Sequence, residues 1–275
     1  MSEEPYSGAT PNFTDTGQWR LIVDVSAKGL AAVLKNVTEP DVSPVVVADR
    51  RWNPSEGDVL RQVEAAVYDN PRMLDDFATH IVVTTPHALW IPEELTEDEE
   101  FNEKFFTSVF PSEREDISAD FGSREVCLYS LVPGLNAFFQ RTMPGCKTSS
   151  HLSILKKRFD EAMKDSESAS RIFVSVREGE ADIFAYSGRD FLCATTHSWM
   201  APEDIGYKVL LTARACEQKL DETKVTIISG NDTGQALKEI LSGLFGKISI
   251  SAPPSNRRLP LTPAASLAAG EILEL

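Results

Sequence analysis

Residues Arg171–Trp199, RIFVSVREGEADIFAYSGRDFLCATTHSW, hold three short apolar runs separated by turn-sized polar breaks. The runs are rich in Val, Ile, Phe and Tyr, and the first two alternate with the period of half-buried strands. Arg177-Glu178-Gly179-Glu180 is short enough to turn a hairpin. The stretch has an echo far upstream. Arg20–Trp52, RLIVDVSAKGLAAVLKNVTEPDVSPVVVADRRW, has the same three-run layout and likewise ends in Trp ahead of a helix start that contains Pro.

Working outward, the helix after Trp52 is expected to run to about Tyr68, with Val59, Leu60, Val63, Ala66 and Val67 at helical spacing. Thr79–Thr85 reads as a strand with His87–Ile91 as its hairpin partner. Glu97–Val109 reads as a helix with Phe101, Phe105 and Val109 on one face, and Ser112–Ser123 as an acidic loop. A strand at Glu125–Leu131, a helix at Pro133–Arg141 opened by its Pro, a short strand at Cys146–Ser149 and an amphipathic helix at His151–Lys164 complete the first half. The second half follows its strand triplet with a helix from Ala201 to about Leu220, a strand at Thr223–Ser229, a helix at Asp232–Leu244 and a strand at Lys247–Ser251. Overlaying the halves puts Arg20–Val25 on Arg171–Val176, Trp52 on Trp199 and Thr79–Thr85 on Thr223–Ser229. A shared order of elements over this span is the mark of a duplicated supersecondary unit. The expected fold is therefore α/β, with duplicated βββαβαβ lobes and a cleft between them. Its expected divisions are a flexible tail at 1–17, a first lobe at 18–168, a second at 169–252 and an extension at 253–275.

Composition excludes several classes of function. A formal net charge of −15 opposes binding to nucleic acid, which rests on neutralising phosphates with Lys and Arg, and to anionic membrane surfaces. No apolar run has the length of a bilayer span, and the N-terminus lacks the basic-then-apolar order of a signal peptide. Cys127, Cys146, Cys193 and Cys216 form no CxxC pair, so they read as free buried thiols in a reducing compartment. The expectation is a cytoplasmic protein.

The paired strand triplets, the segment VCLYSLVPGLNAFFQRTMPGCKTSSHLSILKKRF at Val126–Phe159 and IISGND at Ile227–Asp232 resemble a known plan. They are similar to the actin, sugar kinase and heat-shock ATPase superfamily, of ribonuclease H-like architecture. More narrowly, they resemble an uncharacterised bacterial domain family, best known from Bacteroidetes, with an actin-like ATPase fold. The resemblance covers roughly residues 18–252. It implies a nucleotide site in which two strand hairpins and a Gly-containing turn hold Mg-ATP. The Asp of an Asp-x-Gly hairpin organises metal-bound phosphates or the attacking water, and Gly lets backbone N–H groups reach phosphate oxygens.

Carried onto this chain, that site would use Asp24, Lys28 and Gly29 in the first hairpin, Gly179 in the second, and Gly230 and Asn231 at the third turn. Asp24 is the one candidate for a catalytic role. Ser26 replaces the first Gly, Ser175 stands at the position matching Asp24, and Glu178 and Glu180 make the second turn acidic. The plainer readings are a strand-end carboxylate for Asp24, solvated charges for the two glutamates, surface cations for Lys28 and Arg177, an N-cap for Asp232 and packing for the two tryptophans. No GxxxxGK[ST], GxSxG, GxGxxG or HExxH occurs. Two readings follow, a non-catalytic actin-like scaffold with a degenerate nucleotide site, or an ATP-binding and weakly hydrolysing relative. An enzyme acting on an unrelated small molecule in the cleft stays open as a third. Charge and tail composition would suit a basic protein partner, and self-association is plausible for an actin relative.

Overall fold

A computed structural model of the chain describes residues 13, 15–39, 42, 44–96, 99–111, 116–122, 124–164, 170–229 and 232–251. Strands β1 (Trp19–Ser26), β2 (Gly29–Asn36) and β3 (Val45–Arg51) form an antiparallel meander, and helix α1 (Val59–Tyr68) follows. Strands β4 (Ala78–Thr84) and β8 (Lys147–Ser150) add in parallel on the other side of β1, giving the order β3-β2-β1-β4-β8. The second half has β9 (Ser170–Arg177), β10 (Glu180–Ser187), β11 (Asp190–Ser198), α5 (Pro202–Ala215), β12 (Thr223–Ile228), α6 (Thr233–Leu241) and β13 (Lys247–Ser251). Its sheet runs β11-β10-β9-β12-β13, the same topology. The lobes are thus a duplication, as the element order predicts.

Alternation along the first strand of each lobe sorts its side chains. In β1, Leu21, Val23 and Val25 enter a core with Val63, Ala66 and Val67 of α1 and with Leu135, Phe138 and Phe139 of α3 (Leu135–Thr142). In β9, Ile172, Val174 and Val176 pack against Ile205, Val209 and Ala213 of α5 and Leu237 and Leu241 of α6. The intervening residues, Asp24 in β1 and Phe173, Ser175 and Arg177 in β9, face the other way. Helix α4 (His151–Lys164) leaves β8 and lays Leu152, Leu155, Phe159 and Met163 on that opposite face of the second sheet, where Phe159 stacks on Phe173 at 4.3 Å. One helix therefore begins at the first sheet and is packed into the second lobe.

Several local expectations are corrected. Between β4 and α3 the chain inserts a third sheet, β5 (Ala88–Pro92), β7 (Glu125–Leu131) and β6 (Asp116–Phe121), in the order β5-β7-β6. The segment expected to pair with β4 instead pairs with β7, through Ala88↔Tyr129 to Pro92↔Glu125, and part of the expected acidic loop is β6. Helix α2 (Glu99–Val109) buries Phe106 against this sheet and leaves Phe101, Phe105 and Val109 exposed. Helix α3 starts after Gly134, whose φ is 80°, so Pro133 precedes the helix rather than opening it. The overlay of the parallel strands also shifts by two residues. Val82 lies beside Asp24 and Ile228 beside Ser175, whereas the sequence overlay set Val82 on Thr226. A two-residue slip keeps every side chain on its face, which is why the alternation could not reveal it. The expected tail and C-terminal extension fall mostly outside the described residues.

Candidate functional site

The two hairpins expected to hold phosphate meet at their tips. In the first, the Ser26 hydroxyl folds back over its own turn. Its oxygen accepts from the amides of Lys28 and Gly29, both at 3.2 Å, and its proton reaches the Gly29 carbonyl at 3.2 Å. The backbone donors that a Gly-containing hairpin would offer to phosphate are therefore engaged by a side chain of the same turn. Gly29 is glycine for another reason. A Cβ there would lie 2.4 Å from the Arg50 carbonyl oxygen on the neighbouring strand. Gly179 serves the turn itself, at φ 72°, a left-handed conformation that Gly adopts without the Cβ penalty.

Each repeated tryptophan closes one of these turns. Trp52 donates its indole N–H to the Ser26 carbonyl at 2.7 Å, and its amide donates to the Lys28 carbonyl at 3.0 Å. Trp199 does the same to Arg177 at 3.1 Å and to Gly179 at 3.1 Å. The bonds set Ser26 equivalent to Arg177 and Lys28 to Gly179. They also give the tryptophans a specific task, sealing a hairpin, where the sequence suggests only packing.

Across the cleft, Lys28 Nζ donates to the Glu178 carbonyl, and Arg51 Nη2 lies 3.0 Å from Glu178 Oε2. Glu178 is thus paired with the opposite lobe while its side chain stays about half exposed. A cavity of about 30 Å³ is left between Asp24, Lys28, Thr84, Arg177, Glu178 and Glu180. Small-ligand sites typically enclose roughly 300–1,000 Å³.

Behind the second hairpin lies a buried ionic cluster that sequence reasoning missed. Arg177, read from the sequence as a surface cation, is 6% exposed and Asp182 is 0% exposed. Arg177 donates from Nε to Asp182 Oδ2 and from Nη2 to Asp182 Oδ1, each at 2.9 Å, and from Nη1 to Glu180 Oε2 at 2.9 Å. The Thr196 hydroxyl donates to Asp182 Oδ1 at 2.7 Å, and His151 Nε2 lies 3.2 Å from both Asp182 Oδ1 and Arg177 Nη2. Burial alone would raise the Asp182 carboxyl. The charges and hydrogen bonds of Arg177 and His151 overcome it and hold the group well below the usual carboxylate range. Because Asp182 pairs with Ser175 across the ladder, the second lobe does carry a carboxylate level with Asp24, one strand over, and Arg177 binds it.

Asp24 itself is buried, with the Thr84 hydroxyl donating to Oδ1 at 2.8 Å. Burial pushes its carboxyl up, opposed by the Thr84 bond and by the charges of His151 and Arg177. Between the ordinary value of 3.8 and the raised one, the folded chain keeps a proton that the unfolded chain has released. Stability therefore falls as pH rises through that window, and the penalty persists above it. Replacing Asp24 with Asn is expected to raise the melting temperature by a few degrees near neutral pH, with the gain shrinking toward about pH 4. A thermal-denaturation series across pH measures it.

Gly230 and Asn231, the third set of expected nucleotide contacts, lie outside the described residues. Asp232 stands at the head of α6 without a side-chain capping bond. The site thus brings together Asp24, Lys28, Gly29 and Gly179 of the expected set, and adds Thr84, His151, Glu180, Asp182 and Thr196. Periodicity could have found part of this addition. Arg177 is in phase with Phe173 on β9 and Asp182 with Phe184 on β10, and both aromatic rings belong to the core under α4.

No helix among the described residues is long and apolar enough to cross a membrane. No curated protein matches the chain. Among solved structures, a Bacteroides thetaiotaomicron VPI-5482 protein with actin-like ATPase fold and unknown function superposes with a TM-score of 0.79 at 16% identity. The match covers 97% of this chain and 100% of that one. The PilM-PilN type IV pilus biogenesis complex is more remote, with a TM-score of 0.48 at 9% identity over 93% of this chain and 98% of that one. The cytoplasmic domain of EpsL, an inner membrane component of the Vibrio cholerae type II secretion system, gives 0.44 at 10% identity over 94% and 95%. At 16% identity the likeness to the Bacteroides protein shows the fold, and with it the actin-like architecture that the duplicated strand triplets imply. A family model described as protein of unknown function (DUF3822) matches residues 9–248, and the chain belongs to that family.

Proposed function

We propose that this chain is a non-catalytic actin-fold scaffold whose lobes are held together by its own side chains where nucleotide-binding relatives of this fold place phosphate. The observation that carries this reading is the Ser26 hydroxyl seated on the amides of Lys28 and Gly29. The Lys28 and Arg51 contacts to Glu178 support it by joining the hairpin tips across the cleft. The formal charge of −15 favours a basic protein surface as what the scaffold holds, since complementary potentials steer association.

One observation favours a second reading, an ATP-binding protein that opens first. Arg51 and Glu178 are about half exposed, and exposed pairs are worth only about 0–1 kcal/mol, so this pair adds little to holding the tips shut. Parting them would expose Asp24 to a metal-bound phosphate.

Titration of the full chain with Mg-ATP, followed by thermal denaturation, separates the two. A ligand present at 100 times its Kd stabilises the folded state by about 2.7 kcal/mol. The scaffold reading expects no shift at millimolar nucleotide. A saturating rise in melting temperature that depends on both Mg and ATP would overturn it.

A further inference from the structure

We infer that Cys193 and Cys216 are a dithiol modification site that closes to an intramolecular disulfide when a peroxide reaches it. Their sulfurs lie 3.6 Å apart, 23 residues apart in sequence, and both residues are partly exposed, whereas Cys127 and Cys146 are buried. The two sulfurs lie at the edge of one apolar core, Cys193 on β11 and Cys216 at the end of α5.

A disulfide needs about 2.05 Å between sulfurs, and the backbone on each side can supply the approach. The β10–β11 register slips between Ala185 and Tyr186, which pair with Cys193 and Phe191, so Leu192 is an extra residue immediately before Cys193. Such a bulge bends its strand and interrupts the ladder locally. Cys216 sits just past the last turn of α5, and Glu217 beyond it has φ 53°. Cys193 lies within β11 directly after the bulge, and Cys216 lies past the end of α5.

The chemistry balances with hydrogen peroxide as the oxidant. The Cys216 thiolate attacks one peroxide oxygen and the O–O bond breaks. Cys216 becomes a sulfenic acid, and the departing hydroxide takes up the thiol's former proton as water. The Cys193 sulfur then displaces the sulfenic hydroxyl, which leaves with the Cys193 proton as a second water. Two thiols are oxidised by two electrons and one peroxide is reduced. Burial and the neighbouring Cys216 push the Cys193 thiol up to about 12, so Cys193 is not the sulfur that attacks the peroxide first. The closed bond would tie edge strand β11 to α5. Because β11 also carries Thr196, it would hold one of the donors to Asp182 in place.

The test is to expose the full chain to hydrogen peroxide and map its thiols by mass spectrometry. The expected result is loss of two hydrogens, a cross-linked peptide pair carrying Cys193 and Cys216, reversal by dithiothreitol, and a melting temperature raised by several degrees. C193S and C216S should each abolish the loss, while a C127A/C146A variant retains it. Phenylarsine oxide, a trivalent arsenical that bridges paired thiols, should bind once per chain and compete with oxidation. Four alkylatable thiols after peroxide, oxidation of either cysteine to sulfinic acid without a cross-link, or covalent dimers in place of the internal bond would each overturn the inference.

Discussion

Replacing Arg177 with Met is expected to lower the unfolding free energy by about 3–5 kcal/mol, the range seen when one partner of a buried ion pair is removed. Met approximates the aliphatic stem of Arg but carries no charge. Asp182 would keep the Thr196 hydroxyl at 2.7 Å and His151 at 3.2 Å, yet lose two donors at 2.9 Å. Its carboxylate would then be buried with its principal counter-charge gone. Glu180 would lose the same guanidinium. The double variant R177M/D182N is expected to be more stable than R177M alone, because the second change removes the stranded charge. Urea denaturation of the wild type, both single variants and the double variant measures the coupling. A loss from R177M below about 1 kcal/mol, the range of a surface pair, would mean that the cluster does not hold the second hairpin.

The same cluster marks where the sequence stops being readable. The duplicated lobes were legible because strand triplets, a following helix and a terminal Trp recur in one order, and that order is a property of contiguous residues. The third sheet was not. One of its pairings joins Ala88 to Tyr129, too far apart in the chain for any local pattern, while β6, DISADF, does alternate polar and apolar residues, a strand signal masked by its acidic neighbours. Arg177, Glu178 and Glu180 look like turn charges from sequence, and turn charges are usually solvated. Here Arg177 and Glu180 are neutralised within their own buried hairpin, and Glu178 by Arg51 of the other lobe. His151 reaches the cluster only because α4 crosses to the second lobe, and Arg51 meets Glu178 only because the lobes face each other. Asp24 was found by resemblance to a hairpin motif. What Ser26 does to that hairpin was not predictable, because a missing Gly says nothing about where a replacing hydroxyl will point.

Replacing Gly29 with Ala tests whether that hairpin is built for packing or for phosphate. Gly29 pairs with Arg51 across β2 and β3, and the position of its absent Cβ is 2.4 Å from the Arg50 carbonyl oxygen and 3.3 Å from both the Arg50 carbonyl carbon and the Arg51 Cα. All three are backbone atoms of a hydrogen-bonded strand, so a rotamer change cannot relieve the clash. Gly29 is not among the residues with positive φ, which leaves sterics rather than backbone strain as the source of the cost. The expected loss is about 2–3 kcal/mol, the upper part of the usual range of about 1–3 kcal/mol for overpacking, or a fall in melting temperature of roughly 5–10 °C for a chain of this size. Gly179→Ala is the matching control. There the nearest atom to the added Cβ is the end of the Lys28 side chain at 3.2 Å, which can move. Its cost should be about 1–2 kcal/mol, from placing a side chain at φ 72°. A glycine reserved for phosphate would behave differently: Ala at position 29 would leave the melting temperature of the free protein unchanged and abolish a Mg-ATP response present in the wild type. Large destabilisation of the free protein, with no nucleotide response in either form, is what close β2–β3 packing and a self-bonded Ser26 turn together require.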